Sequence, residues 1–429
     1  MRNIFQKGNF THSVFLLMSS TALSQFVAML TMPILTRLYK PEDFGLLAVY
    51  GSIFSLLLII ASIRYELAVP LPKKDEDAAN LLVLSLTIVL CFSILTIPAV
   101  YLLGDGVIRW VGAPALKPYL WLLSLSLLGA GSYQALSYWA IRKKDFTRIA
   151  QTKVSQSLGR TLSQVGLGFL HVGPIGLLLG LVAGQSLGFG TLGIMAVKND
   201  KEAFKRISFE RMRLVAYRYR RFPLISGSSG IINTIGLELQ PLFMSAFYGP
   251  RVLGWFSLGE QVIGVPMSLL GVAVSQVYYG EASRLARESV EELKKLFSQT
   301  VKKLFMIGCI PITLLGIKGP WLFALVFGDI WQQAGVYTQL LTLLFVIKFV
   351  AIPLSCTLEI LERQDLKFYW DIGRLGILLG VFTLARTFGW SDWLFVLSYS
   401  VVMSISYGIL LILSYMVIKS AKTLHLDEK

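Results

Sequence analysis

One stretch of the sequence carries a cation and two amides at the spacing of a single helix face. Arg160 lies in the middle of an apolar run, with Gln156 and Gln164 four residues to either side. Residues four apart project from the same side of a helix, so these side chains form one polar stripe. A guanidinium can bond two phosphate oxygens at once, which makes Arg160 a candidate anion ligand. The alternative is that the stripe joins neighbouring helices by hydrogen bonds.

Four further cations lie within apolar runs or at their ends. Lys348 lies deep in one run, where a lysine either faces the interior of a helix bundle or extends its ammonium toward the membrane surface. Arg64 ends the second run and Arg37 ends the first, and each can meet an anion or anchor its helix end. Arg374 follows Asp371 by three residues, so we predict a local ion pair between them.

Acidic and amide side chains complete the candidates. Glu238 and Glu260 lie inside apolar runs with no cation beside them in the sequence, and Glu66 lies close to Arg64. A buried carboxylate can exchange a proton or hold a sodium ion, and the alternative is an ion pair with a cation of another helix. Asn233 could line a polar path or form an ordinary interhelical hydrogen bond.

Other chemistries find little support in the sequence. The three cysteines and three histidines are scattered singly, so neither a disulfide framework nor a metal site is predicted. The sequence also lacks the G-x-x-x-x-G-K-[ST] loop that binds nucleotide phosphates. The "DED" of Asp75–Asp77 fits a D-x-D pattern used by many glycosyltransferases to hold a metal-bound nucleotide sugar. Because it precedes an apolar run, where acids favour a helix N-terminus, we assign it to a helix start.

The elements that must position these residues are membrane helices. The chain has 429 residues, 55% hydrophobic and 15% charged, and its mean hydropathy is +0.64. Apolar runs of about 20 residues recur along it, and each can cross the roughly 30 Å hydrocarbon core as a helix. We therefore predict an all-α integral membrane protein with twelve transmembrane helices, at residues 13–35, 44–63, 81–103, 118–139, 149–170, 174–197, 223–247, 252–279, 304–327, 332–356, 368–388 and 393–418.

Charge asymmetry predicts the orientation. With the N-terminus inside, most of the 40 lysines and arginines fall in inner loops, which places both termini in the cytoplasm. The most basic loop, residues 198–222, has nine basic residues with apolar positions between them. A basic amphipathic helix on the anionic inner leaflet has this composition. The net charge of +15 therefore indicates topology and a lipid surface, and no nucleic-acid recognition module is present.

A short motif occurs twice, 209 residues apart. Tyr39, Pro41 and Gly45 return as Tyr248, Pro250 and Gly254 with the same spacing. The basic loop divides the predicted spans into six and six, so the halves enter from the same side as parallel repeats. The domains are then an N-terminal lobe at 1–197, a cytoplasmic linker at 198–222, a C-terminal lobe at 223–418 and a tail at 419–429. Each motif would form the outer turn after the first helix of its half.

Two stretches resemble one family. They are "ILTRLYKPEDFGLLAVYGSIFSLLLIIASIRYELAVPLPKKDEDAANL" and "YRRFPLISGSSGIINTIGLELQPLFMSAFYGPRVLGWFSLGEQVIGVPMSLLGVAVSQVYYGEAS". They look like the first hairpin and the start of the second lobe of Wzx-type oligosaccharide flippases. These polysaccharide biosynthesis proteins belong to the multidrug/oligosaccharidyl-lipid/polysaccharide exporter superfamily. One departure is Glu260, where a basic residue is often expected.

The resemblance implies two six-helix lobes around a central cavity that opens alternately to either side. The cargo would be an oligosaccharide on undecaprenyl pyrophosphate, flipped across the bacterial cytoplasmic (inner) membrane for surface polysaccharide such as the O-antigen of lipopolysaccharide. A pyrophosphate and sugar path would then use Arg160, Arg64, Lys348, Arg37, Gln156, Gln164 and Asn233. Proton or sodium coupling would use Glu238, Glu260 or Glu66. No cofactor is expected, and glycan polymerase and other assembly proteins are expected partners.

Two other functions predict different sequence patterns. A cation-coupled multidrug or metabolite antiporter of the same superfamily would have a mainly acidic cavity, whereas the clearest mid-span charge is the cation Arg160. A membrane polymerase or ligase of glycans would need a substantial outer loop, whereas the longest predicted outer connection runs only from about Gly104 to Lys117. The residues therefore favour a flippase over both an antiporter and an enzyme.

Overall fold

The computed structural model describes residues 10–223 and 227–421, and nearly all of this part is helical. Short 3-10 helices at Tyr65–Ala68, Pro114–Tyr119 and Asp329–Trp331 connect some of the α-helices, and the described residues contain no strand. The α-helices are α1 (Phe10–Leu38), α2 (Pro41–Ala61), α3 (Asp75–Val111), α4 (Leu122–Arg142), α5 (Phe146–Phe169), α6 (Pro174–Ser186), α7 (Phe189–Asn199), α8 (Lys201–Lys205), α9 (Phe209–Arg218), α10 (Gly227–Glu288), α11 (Val290–Phe327), α12 (Gln332–Leu354), α13 (Cys356–Ile360), α14 (Gln364–Thr387) and α15 (Asp392–Ser420).

Helix α10 consists of two helical segments that meet at Gly249. This residue has φ 83° and ψ 168°, a conformation open to glycine and strained for other residues. Pro250 follows and begins the second segment, as a proline at a first helical position can. The bend falls in the second Y-x-P-x-x-x-G motif, where the sequence predicts a turn between two spans.

Within the described ranges, nine helical stretches are long and apolar enough to cross a membrane. One of them contains both segments of α10, and another joins α6 to α7. The helices α4 and α5 are too polar to be among the nine, yet each is long enough to span, with 21 and 24 residues. Counted as passes, these elements correspond to the twelve predicted spans.

Several helix starts are set by local polar contacts. The backbone N–H of Lys40 donates to Asp43 Oδ2 at 2.9 Å, and Pro41 is the first residue of α2. The Ser289 hydroxyl accepts from the backbone N–H three residues into α11, and Ser391 does the same for α15. These side chains satisfy N–H groups that have no partner inside the helix.

By its internal contacts the chain divides into two compact units, Met1–Gly254 and Trp255–Lys429. In the first unit, α5 packs against α1 on one side and α6 on the other, and α3 packs against α4. In the second unit, α12 packs against α11 and α15. The predicted lobe boundaries at 197 and 223 remain a prediction.

The basic linker docks on the first unit. Asn80 of α3 donates to the carbonyl of Arg206 at 3.3 Å and accepts from the backbone N–H of Ser208 at 3.1 Å. The ring of Phe204 lies 5.3 Å from that of Trp139 in α4, and Val215 of α9 is buried. One side of the predicted amphipathic segment therefore packs on protein.

Candidate functional site

The two amides of the predicted polar stripe join α5 to α6. Gln164 is buried, and its Nε2 donates to the carbonyl of Leu177 at 3.0 Å. The Nε2 of Gln156 donates more weakly to the carbonyl of Gln185 at 3.4 Å. The hydroxyl of Tyr39 adds a bond of 2.7 Å to the carbonyl of Gln164. The structure therefore supports the interhelical alternative for both glutamines.

Two glycines of α6 let the helices approach at this stripe. An ideal Cβ on Gly180 would lie 2.3 Å from Cγ of Gln164, and one on Gly184 would lie 2.7 Å from Cβ of Arg160. Small residues at such positions are what allow close helix packing in membranes. The glycines thus fix the stem of Arg160 against α6.

The guanidinium of Arg160 is the part of the polar stripe that remains available to bind a ligand. Its side chain is partly exposed, and it forms no hydrogen bond or ion pair with any residue in the ranges 10–223 and 227–421. An uncompensated cation within a membrane span costs about 2.5–3.5 kcal/mol on insertion scales. An anionic ligand would offset this cost, so Arg160 has the chemistry of an anion-binding group.

A second cation on α5 was not singled out from the sequence. Lys153 lies seven residues before Arg160, which puts both on one helix face about 10 Å apart along the axis. Its Nζ donates to Thr21 Oγ1 of α1 at 3.2 Å, so it has a neutral partner and no counter-charge among the described residues. The seven-residue spacing was the signal that could have revealed it.

The predicted Arg64 and Glu66 pair lies where α2 gives way to a 3-10 turn. Arg64 has a left-handed backbone, φ 62°, and its guanidinium lies 3.9 Å from the carboxylate of Glu66. Glu66 is buried and accepts from Ser62 Oγ at 2.5 Å and from Gln134 Nε2 at 3.3 Å. Burial raises the pKa of Glu66 above its ordinary value, against the lowering effect of the hydrogen bond from Ser62 and of the charge on Arg64. This carboxyl is therefore a group that can gain and lose a proton.

The second unit brings together two predicted residues of opposite charge. The ammonium of Lys348 in α12 lies close enough to the carboxylate of Glu260 in α10 for their charges to interact, although they form no direct ion pair. The same ammonium lies 5.7 Å from the ring centroid of Phe345. The charged neighbour of Glu260 is therefore Lys348, a cation on another helix.

The other predicted residues stand apart from these groups. Arg37 is exposed in the last turn of α1. Arg374 pairs with Asp371 at 3.2 Å, which confirms the predicted local ion pair. Glu238 is partly buried in the first segment of α10 and has no hydrogen-bond or ion-pair partner in the described part of the chain. The side chain of Asn233 lies outside what the structure describes.

The D-x-D stretch has a structural role. α3 begins at Asp75, whose carboxylate pairs with Arg142 at 2.8 Å and Lys143 at 2.7 Å. Glu76, between the two aspartates, binds Arg206 and Arg211 of the linker. No group of three His, Cys, Asp or Glu within the described ranges is arranged to hold a metal ion. The prediction that this stretch starts a helix is confirmed.

The sequence model of a family of polysaccharide biosynthesis proteins matches residues 34–335 of this chain. The chain belongs to this family. The lipopolysaccharide biosynthesis protein WzxC of Escherichia coli (strain K12) is 23% identical over 354 residues, covering 81% of this chain and 69% of WzxC. The amylovoran biosynthesis protein AmsL of Erwinia amylovora is 22% identical over 278 residues, covering 65% of this chain and 70% of AmsL. The resemblance to Wzx-type proteins is thereby confirmed.

Solved structures show the fold. The lipid II flippase MurJ in an inward closed conformation aligns with a TM-score of 0.71 at 14% identity, covering 94% of this chain and 90% of MurJ. An inward-facing multidrug resistance transporter of the MATE family and MOP superfamily aligns with a TM-score of 0.64 at 15% identity, covering 92% and 94%. The family member is thus an all-α, multi-pass membrane protein of the twelve-helix, two-lobe class.

Proposed function

We propose that this protein flips an oligosaccharide linked to undecaprenyl pyrophosphate across the bacterial cytoplasmic membrane by alternating access. The observation that carries the proposal is the guanidinium of Arg160, held over Gly184 in the middle of a polar membrane helix without a counter-charge in the described chain. A pyrophosphate leaving water needs such a cation, because opposite charges attract far more strongly at low dielectric. Family membership agrees with a carbohydrate cargo, since relatives are named for lipopolysaccharide and amylovoran biosynthesis.

Lys153 extends the proposed path along α5. Two cations about 10 Å apart on one helix face offer successive partners to a migrating anion. Arg64 would meet the pyrophosphate near the cytoplasmic end of α2, and Arg37 would act at the opposite end of α1. Within the proposal both chain termini lie in the cytoplasm, a proton or sodium gradient supplies the coupling, and a glycan polymerase receives the product.

The charge on α5 separates the proposal from cation antiport. A site for small cations would place carboxylates where α5 has Arg160 and Lys153, because like charges repel the cargo. The twelve-helix fold is shared by both kinds of transporter, so the sign of these charges is the discriminating feature.

The test replaces Arg160 in a strain that lacks the chromosomal copy. Arg160→Gln retains much of the stem and some hydrogen bonding but loses the charge, whereas Arg160→Lys keeps the charge without the two-pronged geometry. We expect the Gln variant, at normal membrane level, to reduce surface-glycan export about tenfold or more and to accumulate the lipid-linked sugar on the inner leaflet. The Lys variant should retain partial export.

Arg148→Gln is the matched control. It removes a cation from the same helix, but Arg148 already pairs with Asp145 at 2.8 Å. Normal export by Arg160→Gln at matched protein level would show that the charge of Arg160 is not needed for transport. If the deletion strain accumulates no lipid-linked sugar, the proposed cargo is wrong.

A further inference from the structure

The second unit contains a cavity of about 350 Å³ between α10 and α12. One face of α12 forms its wall at helical spacing, and the residues of that face are Phe345, Lys348, Phe349, Ile352 and Pro353. Its volume lies in the range of small-molecule sites, which is roughly 300–1,000 Å³. Both helices belong to membrane-spanning stretches, so the cavity lies within the span of the bilayer.

The facing side of α10 supplies small residues that leave this space open. They recur at intervals of three and four, and they are Gly264, Ser268, Gly271 and Ser275. Elsewhere in this unit glycines bring helices into contact: a Cβ on Gly335 would lie 2.5 Å from the carbonyl oxygen of Gly319. On Gly264 and Gly271 the nearest atoms would be 3.9 Å and 3.5 Å away, at ordinary contact distance. Here the small residues form a cavity and do not bring the backbones together.

The chemistry of the wall is amphipathic and carries one cation. Aromatic and aliphatic side chains from both helices make the wall mostly apolar, whereas Ser268, Ser275 and Gln276 add hydroxyl and amide groups. Lys348 contributes an ammonium that forms no hydrogen bond or ion pair with any residue the structure describes. A free sugar or an inorganic anion would leave the apolar wall uncovered. A hydrocarbon without a charged group would leave the ammonium unsatisfied.

We propose that this cavity binds the phosphate end of a lipid, with the phosphate on Lys348 and the first part of the hydrocarbon chain against Phe345, Phe349 and Ile352. The volume admits only part of a lipid, so the remainder lies outside the cavity. The inference rests on the proposed function and deepens it: the family resemblance implies a role for Lys348 on a pyrophosphate path, and the cavity adds a binding site for the lipid that carries the phosphate.

The neighbouring carboxyl group of Glu260 provides a test of the proposed site. When it is ionised, the carboxyl group of Glu260 competes with a bound phosphate for the ammonium of Lys348, although the two side chains form no direct ion pair. Removing the carboxylate should therefore strengthen phosphate binding, whereas removing the ammonium should weaken it. A lysine that only stabilises the fold would not produce opposite effects.

The experiment measures lipid binding to the purified full-length protein in detergent. Undecaprenyl phosphate, undecaprenol and dioleoyl phosphatidylglycerol are titrated separately, and the dissociation constant is obtained by thermophoresis. Undecaprenol tests the need for a phosphate, and phosphatidylglycerol distinguishes an ordinary membrane lipid from the isoprenoid carrier. Tighter binding of the isoprenoid phosphate identifies the carrier, and equal binding identifies lipid phosphate in general.

We expect Lys348→Gln and Gly271→Leu each to weaken lipid-phosphate binding about tenfold, and Glu260→Gln to strengthen it. Lys318→Gln is the matched charge control, since Lys318 lies 5.9 Å from the ring of Trp321 in the same unit but outside the cavity. Gly373→Leu is the control for added bulk, because a Cβ there would meet nothing within 4 Å.

The proposed site would be wrong if Lys348→Gln and Gly271→Leu left the affinity for undecaprenyl phosphate and for phosphatidylglycerol unchanged. It would also be wrong if undecaprenol bound equally tightly. Either result would leave the proposed flipping function intact, because that function is tested by export and by Arg160. Loss of export in Arg160→Gln with normal lipid-phosphate binding would support both proposals.

Discussion

The backbone of Gly45 packs directly against the carbonyl group of Pro250. An ideal Cβ on Gly45 would lie 1.7 Å from that oxygen, and one on Gly254 would lie 1.8 Å from the carbonyl oxygen of Pro41. The two copies of Y-x-P-x-x-x-G therefore contact each other reciprocally, the glycine of each against the proline of the other. Reciprocal contacts of this kind are those of a two-fold relation between like elements. The same spacing is needed twice because each copy is the other's packing partner.

This contact predicts the effect of a single methyl group. Gly45→Ala should lower the stability of the purified protein by about 1–3 kcal/mol, because the new Cβ forces two backbones apart. The measurement is the thermal unfolding midpoint by tryptophan fluorescence. Gly51→Ala is the control on the same helix, since a Cβ there meets nothing within 4 Å and alanine favours helix. An equal midpoint for both variants would contradict the contact.

Replacing the glutamines of α5 should lower the stability of the protein without an equal loss of transport. Gln164→Leu removes the buried bond to the carbonyl of Leu177 and should cost about 1 kcal/mol, typical of an interhelical hydrogen bond in a membrane. Gln156→Leu should cost less, because its bond is 3.4 Å long and partly exposed. Unfolding midpoints and export are compared at matched protein level. Abolished export with an unchanged midpoint in Gln164→Leu would place this glutamine in the substrate path.

The orientation is testable by chemical labelling in intact cells. In a variant without Cys91, Cys309 and Cys356, an impermeant maleimide should label a cysteine at Lys117, which is exposed in the predicted outer connection. A cysteine at exposed Arg213 in α9 should be labelled only after permeabilisation. The reason is the excess of basic residues on the side that carries the linker. The reverse labelling pattern would show that the protein has the opposite orientation in the membrane.

The buried carboxyl of Glu66 predicts a pH dependence of stability. Because its pKa is raised in the folded protein, the folded state binds this proton more tightly than the unfolded state. Its contribution to stability is full below the unfolded value of about 4.5 and is lost as the pH rises through the folded value. The unfolding midpoint should therefore fall as the pH rises above about 4.5, and this fall should be shallower in Glu66→Gln. Parallel profiles for the two proteins would show that Glu66 does not titrate there.

The sequence was sufficient for features that depend on local pattern. The spans followed from the length and apolarity of each run, and the bend at Gly249 followed from the repeated motif. The pairing of Arg374 with Asp371 followed from helical spacing alone. In each case the physical cause lies within a few residues, so it is visible along the chain.

Contacts between distant segments gave no such signal. The use of Gln164 and Gln156 to join α6, and the approach of Lys348 to Glu260, depend on which helices become neighbours. The seven-residue spacing from Lys153 to Arg160 is visible in the sequence, but the contact of Lys153 with Thr21 depends on the packing of α1 against α5. The linker's amphipathicity was visible, but the protein surface that its Val215 meets was not.

The polarity of α5 has a consequence for biogenesis. A segment carrying Lys153 and Arg160 enters hydrocarbon poorly as a single helix, since each centrally placed cation adds about 2.5–3.5 kcal/mol on insertion scales. Its neighbours supply what it lacks: Thr21 of α1 receives the lysine, and Gly184 of α6 accommodates the arginine stem. Because α1 is made before α5 and α6 after it, we expect α5 to be stably inserted only once α6 has been synthesised. The helix most suited to an anion is then the one whose insertion depends on both of its neighbours.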